Sequence, residues 1–227
     1  MSSSNTIKHV AIIPDGNRRW AKSLGKPSVY GHEAGFSRFK ELTAYAKNKG
    51  IPFLTIWAFS TENWNRNKEE VKGLMTIIKR ALVEINKEAH EGKFRFVHIG
   101  RKDRLSEDIA KLIEKTEEET KSYEKFCLCV AIDYGGEDEV LRAERKLMES
   151  KNKDKHIVDF LDTTLAGIPS PDLIIRTSGE KRISGFMPVQ STYSELVFEE
   201  KMFPDFTEEV FQSALDEYEK RTRRYGK

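Results

Sequence analysis

Six short apolar runs, most of them separated by stretches with helical spacing, constrain this chain more than any other feature. The runs are Val10–Ile13, Phe53–Phe59, Phe94–Ile99, Cys127–Ile132, Leu173–Ile175 and Leu196–Phe198. Helical patterns lie at Phe36–Lys49, Glu69–Glu91, Ser106–Lys121, Glu137–Glu149 and His156–Leu165, and a last one, Glu208–Arg224, closes the chain. Strands alternating with helices argue for a mostly parallel sheet covered on both faces. The expected fold is therefore α/β: a single domain whose central sheet of about six strands is flanked by helices.

A chain of 227 residues can hold one sizeable core, so a single domain is the default. Residues 1–8 read as a flexible N-terminal tail and 9–227 as the folded domain. Lys and Arg number 39 against 37 Asp and Glu, a formal net charge of +2. That balance gives no bulk attraction to nucleic acid, so any anion must be bound locally. The basic run Lys220–Lys227 reads as a solvated helix end whose cations complement the helix dipole. Cys127 and Cys129, two apart on a strand, face the same way and lack a second pair for zinc, so they read as buried thiols. With no secretory segment and no membrane-spanning run, the expected compartment is the cytoplasm.

In parallel sheets, ligands sit beyond the carboxyl ends of the strands. Asp15, Ser60 with Asn63 and Trp64, Asp133 with Gly135, and Arg176 with Gly179 all fall just past strand ends. After the first strand comes Pro14-Asp15-Gly16-Asn17, a sharp turn, then Arg18, Arg19 and Trp20 opening a helix. A helix start with two guanidiniums favours a phosphate, and the lone carboxylate of Asp15 suggests a metal. Taken alone the tetrapeptide is more often a plain turn. A second cluster of the same kind shifts the balance: Arg176, Ser178, Arg182 and Ser184, with Glu195 as a candidate metal partner for Asp15. Paired arginines offer forks to phosphate oxygens. Two such corners point to an enzyme acting on two phosphate esters.

These blocks resemble the cis-prenyltransferases, the undecaprenyl diphosphate synthase family. The resemblance runs in order through Asp15-Gly16-Asn17-Arg18-Arg19-Trp20, Gly31-His32, Ala58 to Trp64, Asp133-Tyr134-Gly135-Gly136, Arg176 to Glu180, Tyr193-Ser194-Glu195-Leu196, and Arg223 to Gly226. It implies head-to-tail condensation of isopentenyl diphosphate onto an allylic diphosphate primer, with Mg²⁺ as cofactor. By resemblance Asp15 is the central carboxylate of the Mg²⁺–diphosphate centre. The backbone at Gly16 and Asn17, with Arg18, Arg19 and His32, would hold the primer diphosphate, with Trp20 also substrate-binding, and Arg176, Arg182 and Ser184 the isopentenyl diphosphate. Glu195 would assist with Mg²⁺. Ser60, Asn63, Trp64 and Arg66 would lie on a loop over the site, Asn63 near the reacting carbons. Arg224 and Gly226 would reach a neighbouring subunit's site in a homodimer, and a lipid product implies peripheral contact with a membrane.

The longest apolar stripe, Val71, Leu74, Met75, Ile78, Leu82, Ile85 and Ala89, fits core packing and equally the wall of a hydrophobic tunnel. Other residues have plain readings too: His32 as a helix cap, Trp64 as a core anchor, Glu117-Glu118-Glu119 as a solvated helix face. The chain departs from the family at Ser28, where an arginine is common, at Pro14 and Gly185, and over Met187-Pro188-Val189-Gln190. Three rivals follow: a non-catalytic partner subunit, a head-to-middle terpenoid synthase on the same fold, and a phosphate- or nucleotide-binding protein. Asp15 and the full Arg176–Glu180 block argue against the first. The last lacks any glycine-rich nucleotide fingerprint.

Overall fold

The computed structural model describes residues 6–221. Its strands are β1 (His9–Ile13), β2 (Phe53–Ser60), β3 (Arg95–Ile99), β4 (Cys127–Tyr134), β5 (Leu173–Arg176) and β6 (Glu195–Phe198). They form one six-stranded sheet in the order β3-β4-β2-β1-β5-β6, and every neighbouring pair is parallel. The α/β expectation and the strand positions hold to within a few residues at each boundary.

The helices are α1 (Asn17–Ser23), α2 (Ser28–Asn48), α3 (Lys68–Gly92), α4 (Glu107–Thr120), α5 (Gly136–Glu149), α6 (Asp162–Leu165) and α7 (Glu208–Lys220). Helix α2 begins eight residues earlier than its apolar spacing suggests, because its first two turns carry Gly31 and Gly35 and leave Val29 and Tyr30 exposed, so no apolar stripe marks them. Pro27 supplies the extended N-cap from which it starts. The helix expected over His156–Leu165 is broken into a 3-10 turn at Ile157–Phe160 and the short α6, the chain being extended at Leu161. The basic run after Lys220 reaches the described residues only at Arg221.

Alternate residues of each strand feed two cores. Val10, Ile12, Leu54, Ile56, Leu128 and Val130 pack on one face with the apolar sides of α2, α3, α4 and α7. Ala11, Ile13, Cys127, Cys129, Ala131 and Phe186 pack on the other. Both cysteines are free and buried on that second face, and burial pushes the Cys127 thiol up to about 11. Ile7 packs against the first core, and the Lys8 N–H donates to Asp172 at 2.8 Å. Edge strand β3 is blunted by α4: Thr120 accepts the Phe96 N–H and Glu117 the His98 N–H. Glu117 thus turns inward from the acidic run, while Glu118 and Glu119 stay exposed.

The chain leaves β1 towards β2 on one side and leaves β5 towards β6 on the other. The crevice between the carboxyl ends of β1 and β5 is therefore where the strand order reverses, the place such sheets bind ligands. Among the described residues no helix is long and apolar enough to cross a membrane.

Candidate active site

Ile13 is in register with Arg176, so the segments after β1 and β5 start side by side. Gly16 makes the turn out of β1 with φ of 97°, and a Cβ there would lie 2.6 Å from Ser178 Oγ. Only glycine suits both the angle and the space. The Asp15 carboxylate is held from both sides: the Gly16 N–H donates to Oδ1 at 2.7 Å, and Arg176 Nη2 donates to Oδ2 at 2.8 Å. Thr177 Oγ1 donates to the Asp15 carbonyl at 2.8 Å. Arg176 Nη1 is shared between the Arg182 carbonyl and Ser184 Oγ, both at 2.7 Å. The two clusters proposed from sequence thus meet at one ion pair.

Two open basins surround Asp15. One, of about 520 Å³, is lined by Gly16, Asn17, Arg18, Arg19, His32 and Arg66, with Lys22, Lys26 and Ser28. The other, of about 380 Å³, joins Asp15 to Ser60, Asn63, Arg66, Arg176 and Ser184. Pro14, Asn17 and His32, which line both basins, also line an apolar cavity of about 100 Å³. Its walls come from Phe36 and Phe39 of α2, Leu74, Ile78 and Leu82 of α3, and Ile56 and Val130 of the sheet. Much of the α3 stripe therefore serves both readings at once, packing the core and walling a cavity; Ile77, which the spacing did not flag, lines it too.

The basic groups are paired with carboxylates in a regular way. Arg66 Nη1 donates to Glu70 Oε1 at 3.0 Å, with Arg18 Nε 3.5 Å and His32 Nε2 3.6 Å from the same oxygen. Arg19 lies 3.1 Å and Arg182 2.6 Å from Glu180. Burial and then the Arg66 charge hold His32 below the usual imidazole range, against the pull of Glu70. Glu70 was invisible to the sequence reading because an acid in a helix's first turn, three residues after an Asn67 cap, looks like ordinary capping.

The loop after β2 is a 3-10 turn, Thr61–Asn65, in which the Ser60 N–H donates to Asn63 Oδ1 at 3.2 Å. Trp64 is its anchor rather than a basin wall. Its indole N–H donates to Asp133 Oδ1 at 2.9 Å, its ring meets Phe59 edge-on at 5.0 Å, and Arg104 forks onto the same Asp133. Trp20 is likewise set apart from the basins. It stacks on Tyr30 at 5.8 Å and donates to Asp205 at 2.9 Å, clamping α1 to α2 and to the segment near Phe203.

Glu195 is not brought beside Asp15 within the chain. It opens β6 in register with Leu173, which pairs with Val10, five residues before Asp15. At about 3.3 Å per residue that is the far end of the strands, and there Glu195 accepts from Arg221 at 2.8 Å. Arg224 and Gly226 lie outside the described residues.

Residues 13–226 match the family model described as putative undecaprenyl diphosphate synthase. The chain is 44% identical over 223 residues to an isoprenyl transferase of Aquifex aeolicus, covering 97% of this chain and 96% of that protein. It is 42% identical to a tritrans,polycis-undecaprenyl-diphosphate synthase (geranylgeranyl-diphosphate specific) of Methanocaldococcus jannaschii, covering 100% of this chain and 85% of that one. Among solved structures it resembles lavandulyl diphosphate synthase from Lavandula x intermedia, in complex with dimethylallyl diphosphate. The TM-score is 0.93 at 36% identity, covering 98% of this chain and 99% of the other.

Proposed function

The chain belongs to the undecaprenyl diphosphate synthase family and is an enzyme, a prenyltransferase, and on that footing we propose that it condenses isopentenyl diphosphate head-to-tail onto an allylic diphosphate primer, making cis double bonds. The observation that carries this reading is the Asp15–Arg176 pair beside two basic basins, with an apolar cavity that shares Pro14, Asn17 and His32 with both.

Arg18, Arg19, His32 and Arg66, with the Gly16 and Asn17 backbone, take the primer diphosphate. Arg182 and Ser184 take the isopentenyl diphosphate, oriented by Arg176. Negative charge builds on the leaving diphosphate as its C–O bond breaks, and fixed cations aimed there lower the barrier. Asn63, in the basin that joins the two clusters, positions the reacting carbons. Every primer has the same head, so tail burial, roughly 0.8 kcal/mol per carbon, sets primer and product length. The cavity of about 100 Å³ is the inner end of the proposed tunnel.

Mg²⁺ fits this donor set. Asp15 is a hard oxygen ligand with its carboxylate 32% exposed to the basins. Among the described residues no cluster of three His, Cys, Asp or Glu could hold a metal, and Mg²⁺ bound with a diphosphate needs only one or two carboxylates. When bound it would neutralise charge on the phosphate oxygens. Within one chain Asp15 would be its carboxylate ligand, and Glu195 would take this role only in an assembly. A homodimer is part of the same proposal, drawn from the family resemblance. We place the enzyme in the cytoplasm, in peripheral contact with the membrane that receives its lipid.

The test is mass analysis of products from labelled isopentenyl diphosphate with geranyl, farnesyl and geranylgeranyl diphosphates. Mg²⁺-dependent cis-polyprenyl diphosphates are expected, and no product from any primer would overturn the reading. A second reading, head-to-middle joining, draws on the similarity to lavandulyl diphosphate synthase and on Ser28. Linkage in the same products separates the two.

A further inference from the structure

We propose that Glu70 is an internal anion that competes with the substrate diphosphate for Arg18, His32 and Arg66, and so sets the headgroup affinity of the site. This rests on the reading of that basin as the primer-diphosphate site.

Three basic groups from separate segments converge on a single oxygen. Arg18 comes from α1, His32 from α2 and Arg66 from the stretch before α3, and all lie within 3.6 Å of Glu70 Oε1. The Glu70 side chain is 11% exposed, so it sits inside the cluster rather than on a solvated helix face. One carboxylate balances only one of the two guanidiniums, so the basin keeps positive charge in hand. It is also a poor fit. At 3.6 Å His32 Nε2 makes no hydrogen bond, and that atom is buried without a partner. A ligand with several oxygens and more than one negative charge would satisfy what a single carboxylate cannot. Charge and geometry therefore favour exchange of Glu70 for a diphosphate, at the cost of breaking its present ion pairs.

The experiment is calorimetric titration of inorganic diphosphate into the wild-type protein and Glu70→Gln, with farnesol as an uncharged control. Removing the competing charge is expected to tighten diphosphate binding about tenfold, the equivalent of one charge-assisted hydrogen bond, and to leave farnesol unchanged. Unaltered or weaker diphosphate binding would overturn the proposal, since Glu70 would then be orienting the cations. Tighter binding of diphosphate and farnesol alike would overturn it as well, because that is general loosening. Glu70→Asp, shorter by one methylene and still charged, should fall between the two and serves if Glu70→Gln does not fold. The competition is read without turnover, so a protein that makes no prenyl product but shows the tenfold change fails the functional reading alone.

Discussion

Arg176 donates to Asp15 across 161 residues, and this 2.8 Å contact ties the end of β5 to the end of β1. The Arg176 side chain is only 6% exposed and reaches three acceptors: Asp15, the Arg182 carbonyl and Ser184. A lysine is a single point charge and cannot bridge all three. Both Arg176→Lys and Arg176→Met should lower turnover by at least about 100-fold. Arg176→Met should also cost about 2 kcal/mol of stability by urea unfolding, below the range for a fully buried pair because Asp15 is partly exposed.

Asp133 is fully buried, with φ of 52°, and is the shared acceptor for Trp64 and Arg104. Asp133→Ala leaves the indole N–H without a partner and frees the loop that carries Asn63. It should lose roughly 2–3 kcal/mol and raise the KM for both substrates. Asn tolerates this backbone angle and still accepts from Trp64. Asp133→Asn should therefore recover about half the stability and most of the affinity.

His9 is buried between the Pro169 carbonyl and Thr55 Oγ1, each at 2.7 Å, and burial lowers its pKa to about 4 despite the Pro169 hydrogen bond. Between about pH 4 and the ordinary value of 6.5 the unfolded chain binds a proton there and the folded chain does not. Stability should thus rise with pH across that window and be lost on acidification, by about 3 kcal/mol in all. Urea midpoints from pH 7 to pH 4 should fall less steeply in His9→Gln than in the wild type. Parallel slopes would show that His9 does not carry the effect.

The alternation of strands and helices was legible because a buried parallel sheet writes each strand as a bounded apolar run. Asp15 and Arg176 were legible for a related reason: both follow such runs, and parallel strands bring those ends to one edge. The surroundings of Trp20 and Trp64 were not legible, because an indole next to a phosphate-binding motif looks the same whether it faces the ligand or clamps the scaffold. Their indole partners, Asp205 and Asp133, are distant in sequence. Where Glu195 falls was not legible for want of register: a carboxylate thirteen residues past Arg182 could lie at either end of the next strand, and within the chain it lies at the far one from Asp15. Glu70 was hidden because its partners come from three segments.

The central claim is that Asp15, held by Arg176 between two anion basins, carries the chemistry. Turnover of isopentenyl diphosphate with an allylic primer, measured for Asp15→Ala with far-UV circular dichroism and Tm in parallel, tests it most directly. A folded variant with at least about 100-fold lower turnover is the predicted result; a folded variant turning over as fast as the wild type would contradict it.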